Sequence, residues 1–245
     1  MTFIDGFVTA VPAANKDAYL AHACEALPIF KEYGATRMVE TWGDDVPEGK
    51  VTDFRRAVNA EPGEVVVFSW VEYLDRAARD LANEKLMSDP RLLAIAGAMP
   101  FDGKRMIYAG FDVIVDTAGS DGAPAAGATG YADGLLIPVP HANRDAYIAV
   151  ARDAAALFHD HGAIRLVEAW GSDVPDGTVT DYKRAVQATP EENTVFSWIE
   201  WPSKEARDRG WAGMMADDRM KNPPKDMPFD GKRMIYGGFA KLLDA

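Results

Sequence analysis

Residues 99–108, Met-Pro-Phe-Asp-Gly-Lys-Arg-Met-Ile-Tyr, recur letter for letter at 227–236, an offset of 128 that runs without a gap from Asp5/Asp133 to Asp116/Asp244. On length alone, 245 residues could be one large domain or two of ordinary size. The repeat decides for two, 1–116 and 131–245, and any fold proposed for one half must serve the other. Between them lies 117–130, a Gly/Ala-rich stretch without aromatics that reads as a flexible linker. As a random coil it would span roughly 20 Å, and at most about 45 Å extended, enough to let the halves dock on each other.

Within each half, strand and helix patterns alternate. Phe3 to Val11 is apolar on both faces, as a strand covered on both sides would be, and Leu135 to Val139 matches it. Asn15 and Asn143 stand where N-caps belong, and the stripe Tyr19, Ala23, Ala26, Leu27, Phe30 predicts a helix ending at Gly34. Pro28 should kink that helix, whereas Ala156 leaves its twin straight. Arg37–Trp42 and Arg165–Trp170 read as strands, Val51–Val58 as a further short strand, and Val65–Tyr73 as a long one. A second helix is expected from about Asp75 to Met87, with Ser203 capping its twin. Arg91 to Ala98 could prolong it as helix, but Asn222-Pro223-Pro224 could not. Arg105–Val115 forms the last strand. The order β-α-β-(β)-β-α-β is the ferredoxin-like split βαβ pattern with one extra strand.

Such a sheet, with helices on one side, leaves an apolar face bare. The other half is its nearest cover. The expected fold is therefore α+β: two ferredoxin-like domains packed sheet to sheet as an intramolecular barrel with a pseudo-two-fold axis. Tethering holds the partner at millimolar effective concentration, so even a weak interface stays closed. Further self-association of the whole chain is left open.

Asp-Gly-Phe at 5–7, Arg37–Trp42, Asp45-Val46-Pro47, Val51–Arg55, Phe68-Ser69-Trp70 and Pro100–Tyr108 resemble the bacterial YbaA-like family, a domain of unknown function in the dimeric α+β-barrel superfamily. The resemblance spans nearly all of both copies. It implies a barrel of two ferredoxin-like units, which in single-copy members are two chains. It implies no activity. Superfamily relatives include cofactor-free monooxygenases, isomerases, haem-degrading enzymes and regulators, an analogy of fold only.

The charge of −12 divides as 12 basic against 19 acidic side chains in 1–116, Asp121 between the halves, and 14 against 18 in 131–245. Neither half offers the positive field that phosphate backbones require, which argues against nucleic acid. No apolar run approaches the roughly 20 residues of a membrane span. The N-terminal residues lack a basic, then apolar, export pattern, and the lone Cys24 cannot form an internal disulfide; both point to the cytoplasm. Dinucleotide, Walker, hydrolase-elbow and zinc motifs are missing, and no cofactor is expected. His22, His141, His159 and His161 have no histidine partners at the 128-residue offset, so neither a shared histidine site nor a metal is expected.

The best candidates for ligand contact are polar and aromatic residues inside apolar strands of both copies: Glu40, Trp42, Trp70, Glu72 and Tyr108, with their twins Glu168, Trp170, Trp198, Glu200 and Tyr236. A carboxyl beside indole rings in a covered sheet would be desolvated and suited to acid–base work. The plain alternative has Glu40 paired with Arg105 or Arg56 and the tryptophans filling the core. Three functions compete: a small-molecule-binding protein or cofactor-independent enzyme, a non-catalytic interaction or regulatory module, and an RNA-binding sheet. The third needs an exposed aromatic sheet.

Overall fold

A computed structural model describes residues 2–118, 124, 127–221 and 226–245. The first half contains β1 (Phe3–Pro12), α1 (Lys16–Glu32), β2 (Ala35–Asp45), α2 (Phe54–Ala57), β3 (Glu64–Tyr73), α3 (Arg76–Leu86), α4 (Pro90–Ala96) and β4 (Ile107–Asp116). The second repeats the order as β5 (Tyr131–Pro140), α5 (Arg144–Asp160), β6 (Arg165–Asp173), α6 (Tyr182–Ala185), β7 (Glu192–Trp201), α7 (Lys204–Ala216), α8 (Asp218–Lys221) and β8 (Ile235–Asp244). Much of the expected linker, residues 119–123, 125 and 126, lies outside the described residues, as does the stretch 222–225 with its two prolines.

Each half orders its strands as in a ferredoxin-like sheet, and the two sheets meet at both edges. β2 pairs antiparallel with β8 and β4 with β6, closing one barrel in the order β1-β3-β2-β8-β5-β7-β6-β4. Closure leaves no edge unpaired among the described strands. Alternate residues of every strand point inward. On β3 these are Val66, Phe68, Trp70 and Glu72, successive levels of the interior. Phe68 stacks on its twin Phe196 at 4.3 Å, and Trp70 on Trp198 at 4.7 Å. These pairs span the pseudo-two-fold axis, each worth about 1 kcal/mol beyond the area it buries. The stacking needs glycine opposite: a Cβ on Gly6 would lie 2.8 Å from the Phe196 ring, and one on Gly134 2.9 Å from that of Phe68. The aromatic face that RNA recognition would require is thus sealed inside.

Several local expectations are corrected. Residues 51–58 contain no strand; Asp53 accepts a hydrogen bond from the amide of Arg56 and caps the short helix α2 instead. Phe54 and its twin Tyr182 then plug one end of the barrel, edge-on to Phe68 and Phe111 respectively. Thr52 and Thr180 cross-link the two plugs by donating to the carbonyls of Ala185 and Ala57, at 2.7 and 2.6 Å. Pro28 does not interrupt α1, which runs unbroken from Lys16 to Glu32. Asn15 does not cap α1 through its side chain; its amide donates to the carbonyl of Pro100. Residues 91–96 do not prolong α3, because Asp89 and Pro90 start a separate helix. Gly34 and Gly162 end their helices with φ of +107° and +98°, as expected.

Candidate functional site

The repeated glutamates and tryptophans fall in two different places, because neighbouring strands present them to opposite faces of the barrel wall. Glu72, Glu200, Trp70 and Trp198 lie inside, at the end away from the plugs. Arg37 makes paired hydrogen bonds to Glu200, 2.8 and 2.8 Å, and to Asp244, 2.7 and 2.7 Å. Its twin Arg165 grips Glu72 at 2.8 and 3.0 Å and Asp116 at 3.0 and 2.7 Å. The indole nitrogens of Trp70 and Trp198 donate to Glu72 and Glu200, each at 3.1 Å. Lys241, at the position of Val113 in the first half, adds a bond of 2.6 Å to Glu200. Burial alone would raise the Glu200 carboxyl, but Arg37 and Lys241 outweigh it and hold the group well below the usual carboxylate range. Each of these glutamates is matched by an arginine from the opposite half, so this end is an ionic clasp between repeats.

Glu40, Trp42, Glu168 and Trp170 point the other way, into the layers between sheet and helix. The Tyr19 hydroxyl on α1 donates to Glu40 at 2.5 Å, and Ser69 on β3 supplies a further hydrogen bond. Tyr147 repeats the contact to Glu168 at 2.5 Å, with Ser197 in the place of Ser69. The arginines considered as partners are engaged elsewhere: Arg105 with Glu64, Arg56 with Asp53. Among the described residues no cation reaches either carboxyl. Burial therefore dominates and pushes Glu40 and Glu168 each up to about 7, against the opposing pull of the tyrosine and serine hydroxyls. Burial, with Glu40 or Glu168 alongside, also raises Tyr19 and Tyr147 well above the ordinary phenol range.

Aromatic rings surround both carboxyls. Trp42 lies 6.4 Å from Tyr19, and Phe101 covers Tyr19 at 5.8 Å, as Phe229 covers Tyr147. A cation stands over each indole: Lys16 at 5.4 Å from Trp42, Arg144 at 5.6 Å from Trp170. The identical decapeptide forms the cover. Its Pro100 and Pro228 carbonyls are held by Asn15 and Asn143 at 2.7 and 3.0 Å, while Arg105 and Arg233 anchor it to Glu64 and Glu192.

Tyr108 and Tyr236 join neither set; they sit on the outer surface, 53% and 50% exposed. Among the described residues no three His, Cys, Asp or Glu side chains gather as metal ligands, and His161 is engaged by Asp217 at 3.0 Å. Sequence reasoning placed Tyr19 and Tyr147 in the helix core and overlooked Ser69 and Ser197. An ungapped repeat gives every pair the same spacing in both copies, so the 21-residue Tyr–Glu spacing carried no signal of the contact.

A family model described as protein of unknown function (DUF1428) matches residues 2–103 and again 130–231. Proteins described as uncharacterized YbaA, from Escherichia coli K12 and Shigella flexneri, are 61% identical over 116 residues, 47% of this chain and 99% of theirs. Among solved structures, two described as putative monooxygenases resemble the whole chain at 10% identity. The one from Fusobacterium nucleatum has a TM-score of 0.60, covering 99% of this chain and 93% of that one. The one from Lactobacillus acidophilus has 0.53, covering 100% and 96%. At such identities the likeness is one of fold.

Proposed function

Since this chain belongs to the DUF1428 family, carrying its domain twice, we propose that it is a small-molecule-binding α+β-barrel protein with one proton-transfer site in each half. The observation that carries this reading is the pair of buried carboxyls left without a cation, Glu40 and Glu168, in a chain that supplies arginines to its other repeated glutamates. A carboxyl that titrates near 7 is divided between acid and base at neutral pH, which is where general acid–base exchange is most effective. The substrate class that suits the walls is a small planar molecule with an acidic C–H or O–H, stacked between the tryptophan and the covering phenylalanine. Glu40 or Glu168 would take the proton. Tyr19 or Tyr147, whose own proton is firmly held, would steady the resulting oxyanion by hydrogen bonding. The Phe101 and Phe229 covers must lift to admit it. The fold likeness to structures described as monooxygenases accords with a small-molecule role and does not choose the reaction. Cys24, exposed and unpaired, suits a reducing compartment such as the cytoplasm.

The test is proton–deuteron exchange into a panel of aryl 1,3-dicarbonyl compounds, followed by NMR. Exchange should rise with pH through about 7 and fall at least a hundredfold in the E40Q/E168Q double variant. A folded double variant that exchanges as fast as the parent, or a parent inactive across the panel, would sink the reading.

A further inference from the structure

The two halves differ where α1 and α5 pass over the neighbouring repeat's last strand. In the first half Leu27 on α1 and Leu243 on β8 fill this crossing in one apolar cluster. In the second, Ala155 and Ala156 stand at the positions of Leu27 and Pro28, and the lost side-chain volume leaves a groove of about 450 Å³ between α5 and β4. Its floor is apolar, with Ile114, Val115 and Ala155. Its rim is not: Arg152 and His159 replace Cys24 and Lys31 of the first half.

The charges there do not cancel. Asp116, at one end, is held in paired hydrogen bonds by Arg165, and Asp160, at the other, bonds Arg219 at 2.8 Å. Arg152 forms no ion pair among the described residues, so its guanidinium faces the groove unmatched. An apolar trough under an unopposed guanidinium, with an imidazole beside it as a further hydrogen-bonding group, is the complement of an amphipathic anion. Its size lies within the usual range for small-ligand sites.

We propose that divergence of the repeats has built, in the second half only, a binding groove for a small carboxylate with a short apolar body. The carboxylate pairs with Arg152, and the hydrocarbon lies over Ile114 and Val115. Val115 is the register partner of Glu168, so the bound molecule lies along the strand that borders that carboxyl, yet occupancy needs no proton transfer there.

Octanoate is a suitable probe, with octylamine as its cationic control, by titration calorimetry and by NMR shifts of the alanine methyls. Octanoate should bind saturably at a single site. Its dissociation constant should rise at least tenfold in R152A, a surface change that leaves folding intact. It should rise likewise in A155L/A156P, which installs the first half's own residues. E168Q should leave binding unchanged, whatever becomes of proton exchange. Absence of saturable binding, equal binding of octylamine, insensitivity to R152A, or loss of binding in E168Q would each overturn the proposal.

Discussion

Glu40 and Glu72 are both buried glutamates present in both copies, and only their neighbours separate them. The difference has a thermodynamic signature. A carboxyl raised from 4.5 in the unfolded chain to about 7 in the folded one binds its proton more tightly when folded. Its stabilising contribution is complete below pH 4.5 and fades as pH rises to about 7, by an amount on the order of 3 kcal/mol per site. Urea unfolding of the parent should therefore show stability declining over that window, and E40Q/E168Q should flatten the decline. Glu200 has the opposite sense: its folded carboxyl is held low, so the stability it lends is present above 4.5 and lost in acid. Removing one of its partners by R37A leaves Glu200 and Asp244 buried with Lys241 alone to balance them and should cost about 3 kcal/mol at neutral pH in the same measurement. Tyr182 supplies a contrary case. Its hydroxyl is buried with no hydrogen-bond partner among the described residues, where the first half has Phe54. Y182F should therefore raise stability, by about 1 kcal/mol, with a higher urea midpoint and an unchanged slope.

At the scale of elements, the cover and the plug are short segments fixed by a few polar bonds. The segment from Gly97 to Met106 lies between α4 and β4, held by Asn15 and by Arg105. N15A should speed amide exchange across that cover while lowering global stability by only about 1 kcal/mol, since one hydrogen bond is lost and the wall remains. Its twin N143A should act on the second cover alone. Equal exchange in parent and variant would mean that the asparagine does not hold the cover shut. The sequence located most strands and helices well, because their periodicity and breakers are local. It misjudged 51–58 because Val-Thr-Asp-Phe-Arg-Arg-Ala-Val is short and carries no clear period, and the Asp53 cap together with the contacts of Phe54 with Phe68 and Phe239 chooses the helix.

Across the whole molecule, the halves hold each other through two strand pairings, a stacked aromatic interior, a cross-linked plug and the ionic clasp. The described ends of the covalent connection join this interface, Thr117 exchanging hydrogen bonds with Leu166 and Thr129 donating to Glu200. Protease nicking within 117–130 should leave the fragments together as one particle of about 26.7 kDa on native gel filtration, separating only in denaturant. Fragments that part in buffer alone would show that the tether, rather than the interface, keeps the barrel closed.

The sequence by itself determined the duplication, the ferredoxin-like unit and the need for each sheet to find a cover. All three follow from repeat identity and from patterns read over a few turns of chain. The tertiary structure alone decided which repeated glutamate is neutralised and which is not. β2 and β3 send Glu40 and Glu72 to opposite faces of one wall, and the arginine that meets Glu72 most closely comes from the other half, 93 residues away. Charge compensation is a property of through-space neighbours, and no local pattern in the chain encodes it.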